Sequence, residues 1–457
     1  MVERRVIVVG AGPAGTRCAQ TLVAAGLRPM LIDENRRDGG QIYRRQPEHF
    51  TRSYEKLYGA EASRAADLHR SFDALRERID YRPETLVWNV AAGHVYTVQG
   101  SRQMTVPFDA LVLCTGATDR LMPVKGWNLA GTYTLGGAQV ALKSQACAIG
   151  RSIVFMGTGA LLYLVAAQYA KAGANVVAVL DSAPRSLRAG AMGKLLAMPG
   201  TLWRGLLLEL ALRRRGIHIY TGVEPIAIEG DANTGVAAVS FKDARGRARR
   251  ISCDAVALGY HLRPETQLAD LARCEFRFDA ETRQWLPRID EVGRSSVHGV
   301  YVAGDGGRIL GASAAEICGR LAAQAVIEDF QLGTPSLAEP ALRMQLAKLQ
   351  RFASGLAQAF PWPSQQARGL SDDTIVCRCE SITAGELRRV VREAGACEAN
   401  RAKAFSRVGM GRCQGRYCGH AAAEVIAQAA NVPLESVGRL RGQAPVKPLP
   451  IALQEER

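Results

Sequence analysis

The sequence predicts an α/β protein built of two Rossmann-like nucleotide-binding units and a small helical segment towards the C-terminus. Three observations predict it. A strand–glycine–helix–strand–acid pattern opens the chain in "VIVVGAGPAGTRCAQTLVAAGLRPMLIDE". The same pattern returns in "IVFMGTGALLYLVAAQYAKAGANVVAVLDS". Four cysteines then gather as C-x-C in "IVCRCE" and C-x4-C in "GMGRCQGRYCGH": Cys377, Cys379, Cys413 and Cys418.

In the first unit Val6 to Val9 are a continuous apolar run, the mark of a strand buried on both faces. Gly10, Gly12 and Gly15 follow as G-x-G-x-x-G, with Pro13 and Ala14 inside the motif. Gly10 permits a tight turn, Gly12 lets the backbone approach a pyrophosphate, and Gly15 lets helix and strand pack closely. The helix N-terminus favours the phosphates. Asp33 and Glu34 end the next apolar run, at the distance where an acid takes ribose hydroxyls.

Three further pieces point to FAD as the dinucleotide. "DGGQIYRR" follows the acids, and its Gly39, Gly40 and Gln41 suit a backbone lying against a ligand. "FDALVLCTGATDR" reads as a buried strand ending in Thr115, Gly116 and Ala117. "GVYVAGDGGRILGASAAEICGRLAA" reads as a strand ending in Gly304 and Asp305, then a helix of small residues. Together these resemble the two-dinucleotide-domain flavoproteins, the glutathione- and thioredoxin-reductase type. The resemblance implies that Asp305 binds the flavin's ribityl or phosphate groups and that Val87 meets the adenine through its backbone. Asp305 could equally be a helix N-cap, or serve as both.

The second unit departs from this pattern. Gly157 and Gly159 are present and Asp181 ends the second strand, but Leu162 stands where the third glycine belongs. A leucine there pushes the helix from the strand or forces a different crossing. By resemblance this unit takes NAD(P)H. The residues leave three readings open: NAD(P), another nucleotide, or a unit kept for packing. The flavin half holds no C-x-x-C or C-x4-C pair, so a disulfide-reductase reading fails. Cys18, Cys114, Cys147, Cys253, Cys274 and Cys318 read as small buried hydrophobes. No H-E-x-x-H, no serine–histidine–aspartate triad and no substrate base stands out; the catalytic residues are unassigned.

Four thiols can hold zinc, form disulfides or hold an iron–sulfur cluster. C-x-C with C-x4-C fits zinc ribbons poorly. Gly409, Gly411, Gly415 and Gly419 would let backbone N–H groups approach cluster sulfurs, and Arg378, Arg412 and Arg416 would offset an anionic cluster. Between the pairs, Thr383 and Glu386 predict a capping box opening a helix. The segment resembles the bacterioferritin-associated-ferredoxin-like (BFD-like) [2Fe–2S] domain, and the four cysteines match its ligand positions.

The chain has 457 residues, enough for several domains, and a formal net charge of +15. Basic residues concentrate between Arg185 and Arg215, interleaved with apolar ones in "KLLAMPGTLWRGLLLELALRRRG". That stretch predicts an amphipathic helix pair that meets a partner or lipid headgroups. Aromatic–basic interleaving of the nucleic-acid-binding kind is absent. The chain runs from "MVERR" straight into a strand, and it has no apolar run long enough to span a membrane. We therefore expect a cytoplasmic protein, with peripheral contact at the inner face of the membrane as an option.

The expected domains are an FAD domain at 1–125 and 285–335, a nucleotide-like domain at 126–284, a helical linker at 336–368, the cluster domain at 369–442 and an extended tail at 443–457. The whole chain resembles the α subunit of heteromeric flavin-dependent amine dehydrogenases, the family of opine oxidase, D-hydroxyproline dehydrogenase and hydrogen cyanide synthase. "VKGWNLAGTYTLGGAQVALKSQ" adds to that likeness. The resemblance implies FAD and a [2Fe–2S] cluster here. It implies substrate oxidation on an FAD-containing, amino-acid-oxidase-like β subunit, and a small ferredoxin-like γ subunit as a further partner. The rival reading is a self-contained NAD(P)H-dependent reductase of a ferredoxin-type acceptor; a non-catalytic scaffold is a third.

Overall fold

A computed structural model describes residues 4–48, 50–333, 339–452 and 454–455. The boundary expected at 335/336 lies outside them. Two parallel five-stranded sheets organise the chain. The first runs, edge to edge, through Val300–Val302, Ala110–Leu113, Val6–Val9, Met30–Ile32 and Asp80–Arg82. Its central strands read VIVV and ALVL and are buried at every position, as strands covered on both faces must be. Because the edge strand Val300–Val302 pairs with Ala110–Leu113, the first domain is discontinuous.

Close packing explains the small residues. The helix Pro13–Ala24 lies against the helix Ala312–Asp329, and a Cβ on Gly319 would overlap the Ala14 carbonyl oxygen. A Cβ on Gly15 would likewise overlap the Gly10 carbonyl oxygen, so only glycine closes this strand–helix turn.

The second sheet runs through His218–Thr221, Val176–Asp181, Ile153–Thr158, Ala255–Tyr260 and Thr132–Thr134. The chain enters and leaves this unit through Ala117–Asp119 and Leu262–Pro264, which pair antiparallel. Beyond Pro264 the chain packs on the first domain: Leu268, Ala269 and Cys274 share an apolar cluster with Ile7, Val9 and Leu111. A boundary at 284/285 would divide the hairpin of Phe276–Asp279 and Gln284–Pro287.

Leu162 is fully buried, in a cluster with Leu135, Phe155 and Tyr169. Cys147 departs from the expectation of burial: it lies in the exposed turn after the helix Leu135–Ser144. The helix pair expected near Arg185–Arg215 is Ser186–Leu195 and Pro199–Arg214, with Trp203, Leu206, Leu207 and Leu210 facing outwards. Among the described residues no helix is long and apolar enough to cross a membrane.

The linker helix Glu339–Ala359 stops where Pro361 and Pro363 remove backbone donors. The helices Ala384–Ala394, Ala399–Ser406 and Gly419–Ala430 then form the cluster domain. Thr383 and Glu386 make the expected capping box, Thr383 Oγ1 accepting from Glu386 N and Glu386 Oε2 from Thr383 N. The tail, expected to be extended, returns to the first domain. Val446 is buried and donates its N–H to the Trp88 carbonyl, and Lys447 pairs with Glu34.

Two buried acids pin the cluster domain down. Glu424 accepts from Arg283 Nε and Nη2, both at 3.0 Å, and from Trp362 Nε1 at 3.0 Å. Glu424→Ala strands the buried indole N–H and frees Arg283. It should cost roughly 3 kcal/mol, read as a fall in the unfolding midpoint. Asp270 accepts from Arg439 at 2.7 and 2.8 Å, from Arg441 and from Gly442 N. Burial alone would raise this carboxyl, but the Arg439 bonds and the neighbouring charges hold it below its ordinary value. A depressed acid stabilises the fold above its unfolded pKa and loses that contribution as pH falls through the folded one. Docking of the cluster domain should therefore weaken below about pH 4. Asp270→Asn should flatten that part of the pH profile, measured as protease susceptibility between the domains.

Candidate redox site

The loops at the carboxyl ends of the first sheet open into one cavity of about 1160 Å³. Ligands bind α/β sheets at such ends. Gly10, Gly12, Pro13 and Ala14 line it from the first turn, and Asp33 and Glu34 from the end of the second strand. Gly40 and Gln41 come from the following loop, Val87 from the strand Thr85–Ala91, and Thr115 and Gly116 from the loop after Leu113. Asp305 comes from the turn after Val302. Gly15 and Gly304 do not reach the cavity. They sit behind it, where a Cβ on Gly304 would stand 2.9 Å from the Ala14 Cβ.

The two acids divide their labour. Asp33 Oδ2 accepts from Ala11 N at 2.6 Å, and Oδ1 from Asn35 N and Nδ2 at 2.7 and 2.8 Å. Asp33 thus ties the glycine turn to the second strand. A carboxylate has about four acceptor positions, so one remains for a ribose hydroxyl. Asp305 Oδ1 accepts from Leu310 N at 2.8 Å and Gly311 N at 3.0 Å, just before the helix Ala312–Asp329. It therefore caps the turn while lining the cavity. Burial raises both carboxyls. Gly116, at φ +68°, and Gly311, at φ +88°, have open space where a Cβ would stand. A bare backbone facing a long cavity with acids along its wall fits FAD.

The same cavity is lined at its other end by Cys377, Cys379, Cys413 and Cys418. Cys377 ends the strand Ile375–Cys377, and Cys418 precedes the helix Gly419–Ala430. All four thiols are free, and they are close enough to shift one another's acidity: Cys377 is influenced by Cys418, Cys418 by Cys413, and Cys413 by Cys379. Cys418 donation lowers Cys377 to about 6, helped by N–H groups of Gly409 and Glu380, and lowers Cys413 as well, helped by those of Tyr417 and Gly415. Thiolate is the ligating form, and such N–H groups also hold cluster sulfurs. Gly411 is required for closure, since a Cβ there would overlap the Cys379 Cβ. Among the described residues no three Cys, His, Asp or Glu side chains converge on a single ion. The row of four thiols fits a two-iron centre, which takes four thiolates in all.

Sequence reasoning missed two residues of this cavity. Lys143 is buried, lines the cavity and donates to the Ile42 carbonyl at 3.2 Å; burial lowers its ammonium to about 8. A lone lysine ending "TLGGAQVAL" was the only local signal. Glu265 lies where flavin end and thiol end meet, bonded to Arg416 at 2.7 Å. No local pattern marks it.

The corresponding place in the second unit is filled by protein. Asp181 is fully buried and accepts from Thr158 Oγ1 (2.7 Å), Tyr163 OH (2.6 Å), Ala183 N (2.9 Å) and Arg188 Nη2 (3.2 Å). A Cβ on Gly159 would stand 3.1 Å from His261 Nδ1, and His261 Nε2 bonds the Phe360 carbonyl. Phe360 packs on Tyr163 and Arg188, and Trp362 on Tyr260 and Arg120. The linker segment 360–362 thus lies across the turn a nucleotide would need.

A flavin cradle on a dinucleotide-type sheet, facing a row of four thiols from a small helical domain, defines an iron–sulfur flavoprotein. The chain belongs to the pyridine nucleotide-disulphide oxidoreductase family, whose model matches residues 4–319, and the BFD-like [2Fe-2S] binding domain matches 375–428. It is 38% identical to an opine oxidase subunit of Agrobacterium tumefaciens (strain Ach5), over 98% of this chain and 90% of that protein. It is 30% identical to hydrogen cyanide synthase subunit HcnB of Pseudomonas aeruginosa, over 98% of this chain and 97% of that one. L-proline dehydrogenase from P. horikoshii shares the fold, with a TM-score of 0.69 at 20% identity, over 98% of this chain and 79% of that one.

Proposed function

We propose that this chain is the FAD- and [2Fe–2S]-bearing electron-transfer subunit of a heteromeric dehydrogenase that oxidises a C–N bond of an amino acid, imino acid or opine. One observation carries the reading: the flavin cradle and the four cysteines line a single cavity. FAD exchanges one or two electrons and the cluster one, so the pair supplies a conversion between hydride chemistry and single-electron flow. Asp305, Gly116 and the Gly10–Gly12 turn bind and orient the flavin. Lys143 holds a buried positive charge in the cavity wall, and the four thiolates hold the cluster. No side chain here is placed as a substrate base. We assign substrate oxidation to an FAD-containing, amino-acid-oxidase-like β subunit, with a small ferredoxin-like γ subunit as a further partner; that relatives are named as subunits of opine oxidase and hydrogen cyanide synthase supports this. The helix pair Ser186–Arg214 offers an outward apolar and basic face for a partner or the inner face of the membrane.

The rival, an NAD(P)H-dependent reductase, would need Asp181 freed and the 360–362 segment displaced. The deciding experiment is an optical and EPR spectrum of anaerobically purified protein, after dithionite and separately after NADH. Flavin bands with a rhombic signal that dithionite develops and NADH does not would support an electron relay fed by a partner. Full reduction by NADH would overturn it.

A further inference from the structure

We propose that the buried ion pair Glu265–Arg416 is the electron-coupling bridge between flavin and cluster, and that its two charges set the cluster's potential with opposite sign. This deepens the function proposed above and rests on it.

The bridge is continuous. At the flavin end Thr115 Oγ1 donates to the Glu265 carbonyl at 2.6 Å, and Glu265 N donates to the Gly116 carbonyl at 2.9 Å. In the middle Arg416 Nε donates to Glu265 Oε2 at 2.7 Å, with side chains only 8% and 14% exposed. At the thiol end the Arg416 backbone N donates to the Cys413 carbonyl at 3.1 Å and its Nη1 to the same oxygen at 3.3 Å. Two further bonds fix Arg416: its Nη1 donates to the Val446 carbonyl at 2.7 Å, and its own carbonyl accepts from Arg263 Nη1 at 3.2 Å. Thr115 and Gly116 line the flavin part of the cavity and Cys413 its thiol part. Two residues, with the hydrogen bonds at and between them, thus join the two cofactor sites.

Stability does not account for such a pair, because desolvating two charges offsets most of their attraction and an apolar pair would serve as well. A role in electron transfer does account for it. In each transfer one group loses a single electron and the other gains it; Glu265 stays anionic, Arg416 cationic, and no bond forms or breaks. The Arg416 charge beside the Cys413 loop favours the added electron on the cluster, and the Glu265 charge opposes it.

The test uses the cofactor-loaded chain in four forms: wild type, Glu265→Gln, Arg416→Gln and the double variant. Two quantities are read, the cluster midpoint potential by EPR-monitored titration and the flavin–cluster exchange rate after flash reduction. The midpoint should rise in Glu265→Gln, fall in Arg416→Gln and lie between them in the double variant. Exchange should slow about tenfold or more in Arg416→Gln. Arg416→Lys keeps the charge but loses the fork, so its midpoint should stay near wild type while exchange slows. Midpoints that shift together or not at all, with exchange unchanged, would make the pair a structural strut and overturn the proposal. Where Arg416→Gln does not fold, the near-isosteric Glu265→Gln decides alone by whether its midpoint rises. A wild-type chain lacking flavin bands or the rhombic signal would instead overturn the underlying function.

Discussion

Cys413→Ser removes the cluster and leaves the flavin bound. Cys413 is an inner member of the row of thiols, its acidity shifted by both Cys418 and Cys379, so its loss interrupts the row. The remaining N–H groups of Gly415 and Tyr417 then face a hydroxyl instead of a sulfur. Metal binding in small thiolate domains is part of their folding energy, so the cluster domain should also melt earlier. The rhombic EPR signal should fall at least tenfold, on the order of what losing a metal-site contact costs. The flavin stays because Gly10 to Asp305 stand on the first sheet, whose core is separate from that of the cluster domain's helices. Loss of flavin in the same variant would show that the two sites do not form independently.

Gly15→Ala should have the larger effect on the flavin. The added Cβ would overlap the Gly10 carbonyl oxygen and stand 2.9 Å from its carbon. Both belong to backbone fixed between a buried strand and a buried helix, so neither can yield cheaply. We expect roughly 3 kcal/mol or more of destabilisation and loss of bound flavin, measured as the flavin-to-protein ratio and the unfolding midpoint. Gly26→Ala is the control. Gly26 also has positive φ, +83°, but a Cβ there meets nothing within 4 Å. It should cost only the conformational increment of about 1 kcal/mol and retain the flavin.

What was legible in the sequence is what short-range geometry dictates. The Gly10–Gly15 motif, the buried VIVV strand and the Thr383–Glu386 capping box are local: each follows from residues a turn or two apart. The cysteines were legible because spacing and flanking glycines carry the chemistry. What escaped depends on partners far along the chain. Glu265 matters because Thr115 and Arg416 arrive beside it from opposite sides. Asp181 looked like a ribose ligand because its position is right; Tyr163 and Arg188 consume its acceptor capacity. The tail is expected to be extended, but the sequence does not say what it meets; Val446 pairs with the strand carrying Trp88. No periodicity records such meetings, and neither did any mark the exposed setting of Cys147.

The segment 360–362 links two equilibria. It covers the turn of the second unit, and its Trp362 also holds Glu424 of the cluster domain. A molecule taking that turn would displace Phe360 from His261 and, because Trp362 lies two residues on, would loosen the grip on Glu424. Occupancy of the second unit would then compete with docking of the cluster beside the flavin, with equal strength in both directions. Whatever entered there would act on this chain as a circuit-breaker.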